Sequence, residues 1–597
     1  MKSSLLAKPS FLAAAALMMA GAWSPSLQAR PIMADVRREL GNYPSAYASF
    51  LVGRYARLQG DIATASSAMN AASQSDPQNN DLREMAFITE ILNGDIDQAA
   101  QTARVLGNDS PNARLMAPVL NAVTAVKANR PQVALKSLDD GIAAKARSRL
   151  ALLLRPYVQA MNGQWKQAVD DSGDAGLAGN DGDRLTAYLL KAERARIMEM
   201  HGQAAEAEAV YKTLYQPGAA ANIFGPDYAG LLERQGRKDE ARAIWKAIAD
   251  QSNDTAAVQA LRRLDGTAYV KPPLPDLTQC MAQALYLSAN LSFSERDSET
   301  ALATLRLSLY LDARPDRARI FLGQIEQDLH DPAAAEAAWA SVPVTSDYAS
   351  EANLRRIWSL RGRGDVDSAL ELANQALVRD PDNLSLLIEK ANILHDREDD
   401  AGALKLITDR VARTGDGDFT WQAWFIEAMV YDSLDQWDQA EAAIIKAKAL
   451  DPSRSEILNF LGYGWISRGL HVAEGMDLVK QALNVNPKSG AIIDSLGWGY
   501  YKLGDYDQAV TYIEQAVQLS PSDAEINEHL GDVYKAVGRE SEATYEWQRV
   551  LTLEVGSKEA ARVRQKLETA TASMKVATTT GVKTGTTALN DTAKTQD

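Results

Sequence analysis

The chain has 597 residues, of which 46% are apolar and 24% charged, the balance of a folded protein with a polar surface. Its 63 basic and 78 acidic residues leave a net charge of -15. That charge repels phosphate backbones and excludes nucleic acid as the main partner. A lone cysteine, Cys280, excludes an internal disulfide and any Cys-rich metal site. It reads as a small, partly buried apolar residue. The five histidines have no metal-ligand spacing and read as helix-surface residues.

In chain order, residues 1–29 read as an export signal. Lys2 and Lys8 precede the apolar run "FLAAAALMMAGAW" (11–23), and cleavage is expected near Ala29. Such a run makes about 20 Å of helix, too short for a hydrocarbon core of about 30 Å. No cysteine comes after it to carry a lipid. The expected product is a periplasmic or secreted protein with no membrane span. Residues 30–44, with "IMADVRRELGNY" at 32–43, are expected to form an N-terminal cap.

From 45 to 250 a faint repeat runs through the chain. Gly53, Gly60, Ala65, Met69 and Pro77 mark one unit, and later ones fall on Ala99, Ala134, Ala168, Ala207 and Ala241. These make six units. Residues 251–281 hold one helix, "TAAVQALRRL", and a stiff connector, "KPPLPD", which either separates two lobes or is folded into one.

From 282 to 557 the repeat is plain and makes eight units. Small or apolar markers recur at Ala289, Gly323, Ile357, Ala391, Ala428, Gly462, Gly497 and Gly531, mostly 34 residues apart. Twelve residues after most of them stands an alanine: Ala301, Ala335, Ala369, Ala403, Ala440, Ala509, Ala543. In the Gly462 unit the small residue is Gly475. A bulky residue such as Trp339, Ile444, Ile513 or Trp547 comes four later. Residues 558–570 are expected to form a capping helix. The Thr-rich tail 571–597 is expected to be disordered.

Within a unit the apolar residues recur at three and four, the helical period. A Gly-Asp turn such as Gly504-Asp505 separates two amphipathic helices, A and B. The marker in helix A and the alanine in helix B are placed where the two backbones come closest. The bulky residue is assigned to the gap towards the next unit. Prolines such as Pro381, Pro452, Pro487 and Pro521 end helix B. One hairpin cannot bury both apolar faces, so units must stack.

This pattern resembles the tetratricopeptide repeat (TPR). The resemblance implies an all-α superhelical solenoid of about 14 helix-turn-helix repeats. The stretch from "NFLGYGWISRGL" to "ATYEWQRVL" is similar to exported proteobacterial TPR proteins. Among them is the TPR adaptor of a periplasmic carboxyl-terminal processing protease. That resemblance implies a scaffold whose partners are other proteins or peptide segments, such as a processing protease and its substrates.

The repeats leave too little chain for a catalytic domain. No phosphate loop, metalloprotease or nucleophile motif is present, and no catalytic residue, cofactor or metal is assigned. Paired carboxylates such as Asp170-Asp171 and Asp399-Asp400 read as turn or surface residues. Function must then come from the face that the A helices line. Its candidates are Phe425, Met429, Asn459, Tyr463, Asp494, Trp498, Tyr501, Glu528 and Asp532. Aromatic and Met side chains beside acids suit a peptide carrying basic residues. Equally, Trp498 and Tyr463 can pack on neighbouring helices and bind nothing. The matching positions near the start are Phe50, Arg54 and Arg57, which suit a different partner. The expected function is an exported scaffold or adaptor in envelope protein assembly or turnover. The alternative is a structural component of polysaccharide export machinery.

Overall fold

The computed structural model describes residues 45–107, 109–143, 149–173, 184–215, 221–252, 254–266, 269–553, 555–556 and 559–570. The expected signal (1–29), the segment 30–44 and the tail 571–597 lie outside them. Among the described residues every regular element is a helix. In chain order six helix–turn–helix pairs come before residue 253, helix Thr255–Asp265 stands alone, and seven pairs and two further helices, Ala349–Gly362 and Val366–Arg379, come after 276. No helix among them is long and apolar enough to cross a membrane. The described residues fall into two compact units, 45–363 and 364–570.

Local chemistry sets each hairpin. Asp61, Asp297, Asp365, Asp399 and Asp505 each cap a B helix, the side chain accepting from a backbone N–H three residues on. Seven residues after the marker the chain turns through the left-handed region. Glycine holds that position at Gly364, Gly469, Gly504 and Gly538. Arg296, His330, Glu398 and Asp435 take the same strained conformation without it.

The thirteen alanines that phase the repeats, from Ala65 to Ala543, are all fully buried, at 0% exposure. The bulky residue four later does not fill the gap between units. It lies on the marker of its own unit. A Cβ at Gly497 would come within 2.5 Å of Ile513, and one at Gly323 or Gly531 would collide with Trp339 or Trp547. The marker is small to admit that side chain.

In unit 45–363 the connector does not separate lobes. Helix Leu277–Ser294, just after it, packs on Arg149–Met161 and Arg184–Met200. Cys280, Met281 and Leu285 join Leu154 and Tyr157 in one core. Helix Ser298–Leu311 then packs on the second and third hairpins. Arg306 Nε donates to the Leu92 carbonyl at 3.1 Å, and the Tyr310 hydroxyl donates to Asp97 at 2.7 Å. The early repeats of this unit are thus closed over by later ones, whereas a plain stack joins sequence neighbours only.

In unit 364–570 five hairpins come after helix Val366–Arg379, and each packs on the next. One core runs through them from Leu387 to Val563 and Ala570. Residues 559–570 form the helix that closes it.

Candidate functional site

The nine candidates sit on the A helices Trp421–Ser433, Ser455–Arg468, Gly490–Lys502 and Ala524–Ala536. None is fully exposed. Phe425, Met429, Asn459, Tyr463, Tyr501 and Asp532 are half-buried, and Asp494, Trp498 and Glu528 are buried.

The aromatic members form a run across neighbouring hairpins. Phe425 meets Phe460 edge-on at 5.6 Å, and Phe460 stacks on Trp437 at 6.3 Å. The Arg454 and Arg468 guanidiniums lie 4.1 Å from the Trp421 and Trp437 rings. Further along, Tyr501, Trp498 and His529 stack in order, with centroids 4.5 and 3.9 Å apart. Trp498 is therefore an internal packing residue of this face.

The acids do not form the free acidic surface that the sequence suggested. Buried charge needs a partner, and the chain supplies one in each case. Asp494 Oδ2 lies 2.8 Å from His529 Nδ1. Burial opposes charge on this imidazole, but the Asp494 carboxylate and its hydrogen bond outweigh that and raise the His529 pKa. His529 is thus a core residue, against the expectation of a surface one. The Tyr463 hydroxyl donates to Glu525, and burial with that carboxylate beside it raises its pKa.

Glu528 accepts two hydrogen bonds from Arg562, at 2.7 and 2.6 Å, and one from Lys566 at 2.6 Å. Lys566 also bridges to Asp532. Burial pushes the Glu528 pKa up, but the Arg562 and Lys566 hydrogen bonds outweigh it and leave it low. Both cations come from the closing helix 559–570. That helix thus covers Glu528 and Asp532 as a ligand would. Asp432 is likewise paired, with Arg468.

Sequence reasoning missed Phe460, Arg468 and Glu525, which lie off the positions chosen on each A helix. Arg562 and Lys566 carried a readable signal: cations four apart, matched by acids four apart at 528 and 532. Near the start of the chain, Phe50 lines a cleft of about 410 Å³. Arg57 is paired with Glu299 at 2.8 Å, and Arg54 is exposed.

Among the described residues no three His, Cys, Asp or Glu side chains are placed to hold a metal. Asp400, of the pair noted in the sequence, is buried and bonded to His395 and Ser433. Burial pushes the Cys280 thiol up to about 12, so it stays protonated.

Residues 499–538 match a model of the TPR repeat, and residues 354–418 match a model of the tetratricopeptide repeat. The TPR repeat-containing protein PA4667 of Pseudomonas aeruginosa is 28% identical over 218 residues, 36% of this chain. The match spans about a third of that protein's length, 36%. Among solved structures, the APC/C hetero-tetramer Cut9-Hcn1 aligns with a TM-score of 0.39 at 15% identity. It covers 90% of this chain and 98% of that one. Pseudomonas aeruginosa pilF aligns with a TM-score of 0.29 at 17% identity, over 37% of this chain and 98% of its own. Among the described residues the chain is all-α, and two of its stretches, 354–418 and 499–538, match tetratricopeptide-repeat models.

Proposed function

We propose that this protein is an exported scaffold or adaptor that holds other proteins on its A-helix face. Its working site is the half-buried apolar run of the C-terminal unit, centred on Phe425, Met429, Phe460 and Tyr463. The observation that carries this is the run itself. Phe425, Phe460 and Trp437 lie in a row of aromatic contacts that spans two hairpins, and Phe425, Met429, Phe460 and Tyr463 each keep part of their surface open to solvent. Such surfaces supply the anchors of protein interfaces.

The envelope setting rests on the apolar leader at 11–23 and on the likeness to exported TPR proteins in the last hairpins. A processing protease and its substrates are the partners proposed on that likeness. The acids of this face are already neutralised, so the partner is held by apolar anchors more than by basic residues.

The test compares the native chain with Phe425→Ser/Met429→Ser as bait in envelope extract. The expected result is loss of specific captured proteins from the variant, with its helical signal unchanged. An identical captured set from both would sink the reading.

A further inference from the structure

The first described helix, Ala46–Leu58, carries an apolar stripe that nothing described covers. Tyr47, Leu51, Tyr55 and Leu58 are exposed at 70%, 43%, 44% and 75%. The internal repeats show what this stripe is for. Tyr55 stands two residues after its marker, Gly53, and Leu51 two before. Two after Gly462 is Gly464, where a Cβ would strike Trp437 of the preceding B helix. Two after Gly497 is Gly499, where a Cβ would come within 2.9 Å of Met476, again on the preceding B helix. Two before Gly462 is Phe460, whose ring stacks on the same Trp437. In this fold these positions face the hairpin that comes before. Among the described residues, helix Ala46–Leu58 has no hairpin before it.

We propose that residues 31–41 cover this stripe, in the place that a preceding B helix holds in the later repeats. Three observations name this segment. The first is length. The turns 76–79, 486–489 and 520–523 use four residues to pass from a B helix to the next A helix. A turn of that size at 42–45 ends on Ser45, the residue that caps the first helix. It leaves eleven residues, 31–41, about 16 Å as helix, and Tyr47 to Leu58 also spans about 16 Å. The second is pattern, since Ile32, Val36 and Leu40 recur at the spacing of Tyr47, Leu51 and Tyr55. The third is charge. Asp76 and Asp81 line the cleft beside Tyr47 and Phe50, and neither has an ion-pair partner among the described residues. Arg37 and Arg38 supply the opposite sign. This inference is independent of the proposed function.

Two measurements on the full chain test it. Val36→Cys with Leu51→Cys should form an intramolecular disulfide under mild oxidation. Cys280 is buried and does not compete. Val36→Asp with Leu40→Asp should speed amide exchange at least tenfold in helix Ala46–Leu58 and leave the last five hairpins unchanged. Faster exchange supports the proposal whether or not the chosen cysteines meet. A disulfide-linked dimer would assign the face to a second copy and overturn it. Unchanged exchange in the Asp variant would overturn it as well.

Discussion

Gly462 and Gly475 meet backbone to backbone. A Cβ built on Gly462 would lie 2.7 Å from the Gly475 carbonyl oxygen, and one on Gly475 would lie 2.8 Å from the Gly462 carbonyl oxygen. Neither obstacle is a flexible side chain. Gly475→Ala should therefore push apart helices Ser455–Arg468 and Val472–Val485. A loss of about 1–3 kcal/mol is expected for such overpacking, partly offset by the better helix propensity of alanine. Local hydrogen exchange over 455–485 reads it. Gly417→Ala, with nothing within 4 Å of its Cβ, is the neutral control. Equal exchange in the two variants would refute the close contact.

Trp498 should behave as core. It is 9% exposed and lies between the Tyr501 and His529 rings. Trp498→Ala should destabilise the C-terminal unit by about 3–5 kcal/mol. A urea midpoint equal to that of the native chain would make Trp498 a surface residue after all.

The pH dependence of unit 45–363 should carry the mark of Glu90. This side chain is fully buried, beside the polar side chains of Thr102, Gln98 and Asn70. Burial pushes its pKa up to about 7. A folded pKa above the unfolded value means that the native state binds the extra proton. Its contribution is whole below about pH 4.5 and is lost as pH rises through about 7. The full effect is about 3 kcal/mol. Glu90→Gln should flatten the fall in thermal midpoint between pH 5 and pH 8 and stabilise the unit at pH 8. A variant that keeps the native slope would show that Glu90 is charged throughout.

Arg296 holds a left-handed turn, at φ 64°, where other units use glycine. Its side chain is exposed. Arg296→Gly should relieve about 1 kcal/mol of strain, less the entropy that glycine adds to the unfolded chain. A small rise in thermal midpoint is expected, and a fall would mean that the turn is not strained.

The repeat itself was legible because sterics enforce it. An alanine that must sit at 0% exposure, thirteen times, leaves a period that survives where other positions drift. The turn chemistry of Gly504-Asp505 was legible for the same local reason. The role of Ile513 and Trp547 was not, because spacing along a helix does not say which neighbour a bulky side chain reaches. The packing of Ser298–Leu311 on the second and third hairpins depends on small rotations that accumulate from repeat to repeat. No window of sequence contains them. At the candidate site, Phe425 and Tyr463 were found by periodicity. The neutralisation of Glu528 and Asp532 was not, since it needs helix 559–570 to be seen lying on the last A helix.

The most direct measurement places a photo-crosslinking phenylalanine analogue at Phe425 on the A-helix face or at Tyr545 on a B helix, which is 63% exposed. Each chain is irradiated in envelope extract and its adducts are identified. Adducts to defined proteins from position 425, with few or none from 545, are the expected result. Adducts from 545 alone, or none from 425 at any partner concentration, would contradict a scaffold that works through its A-helix face.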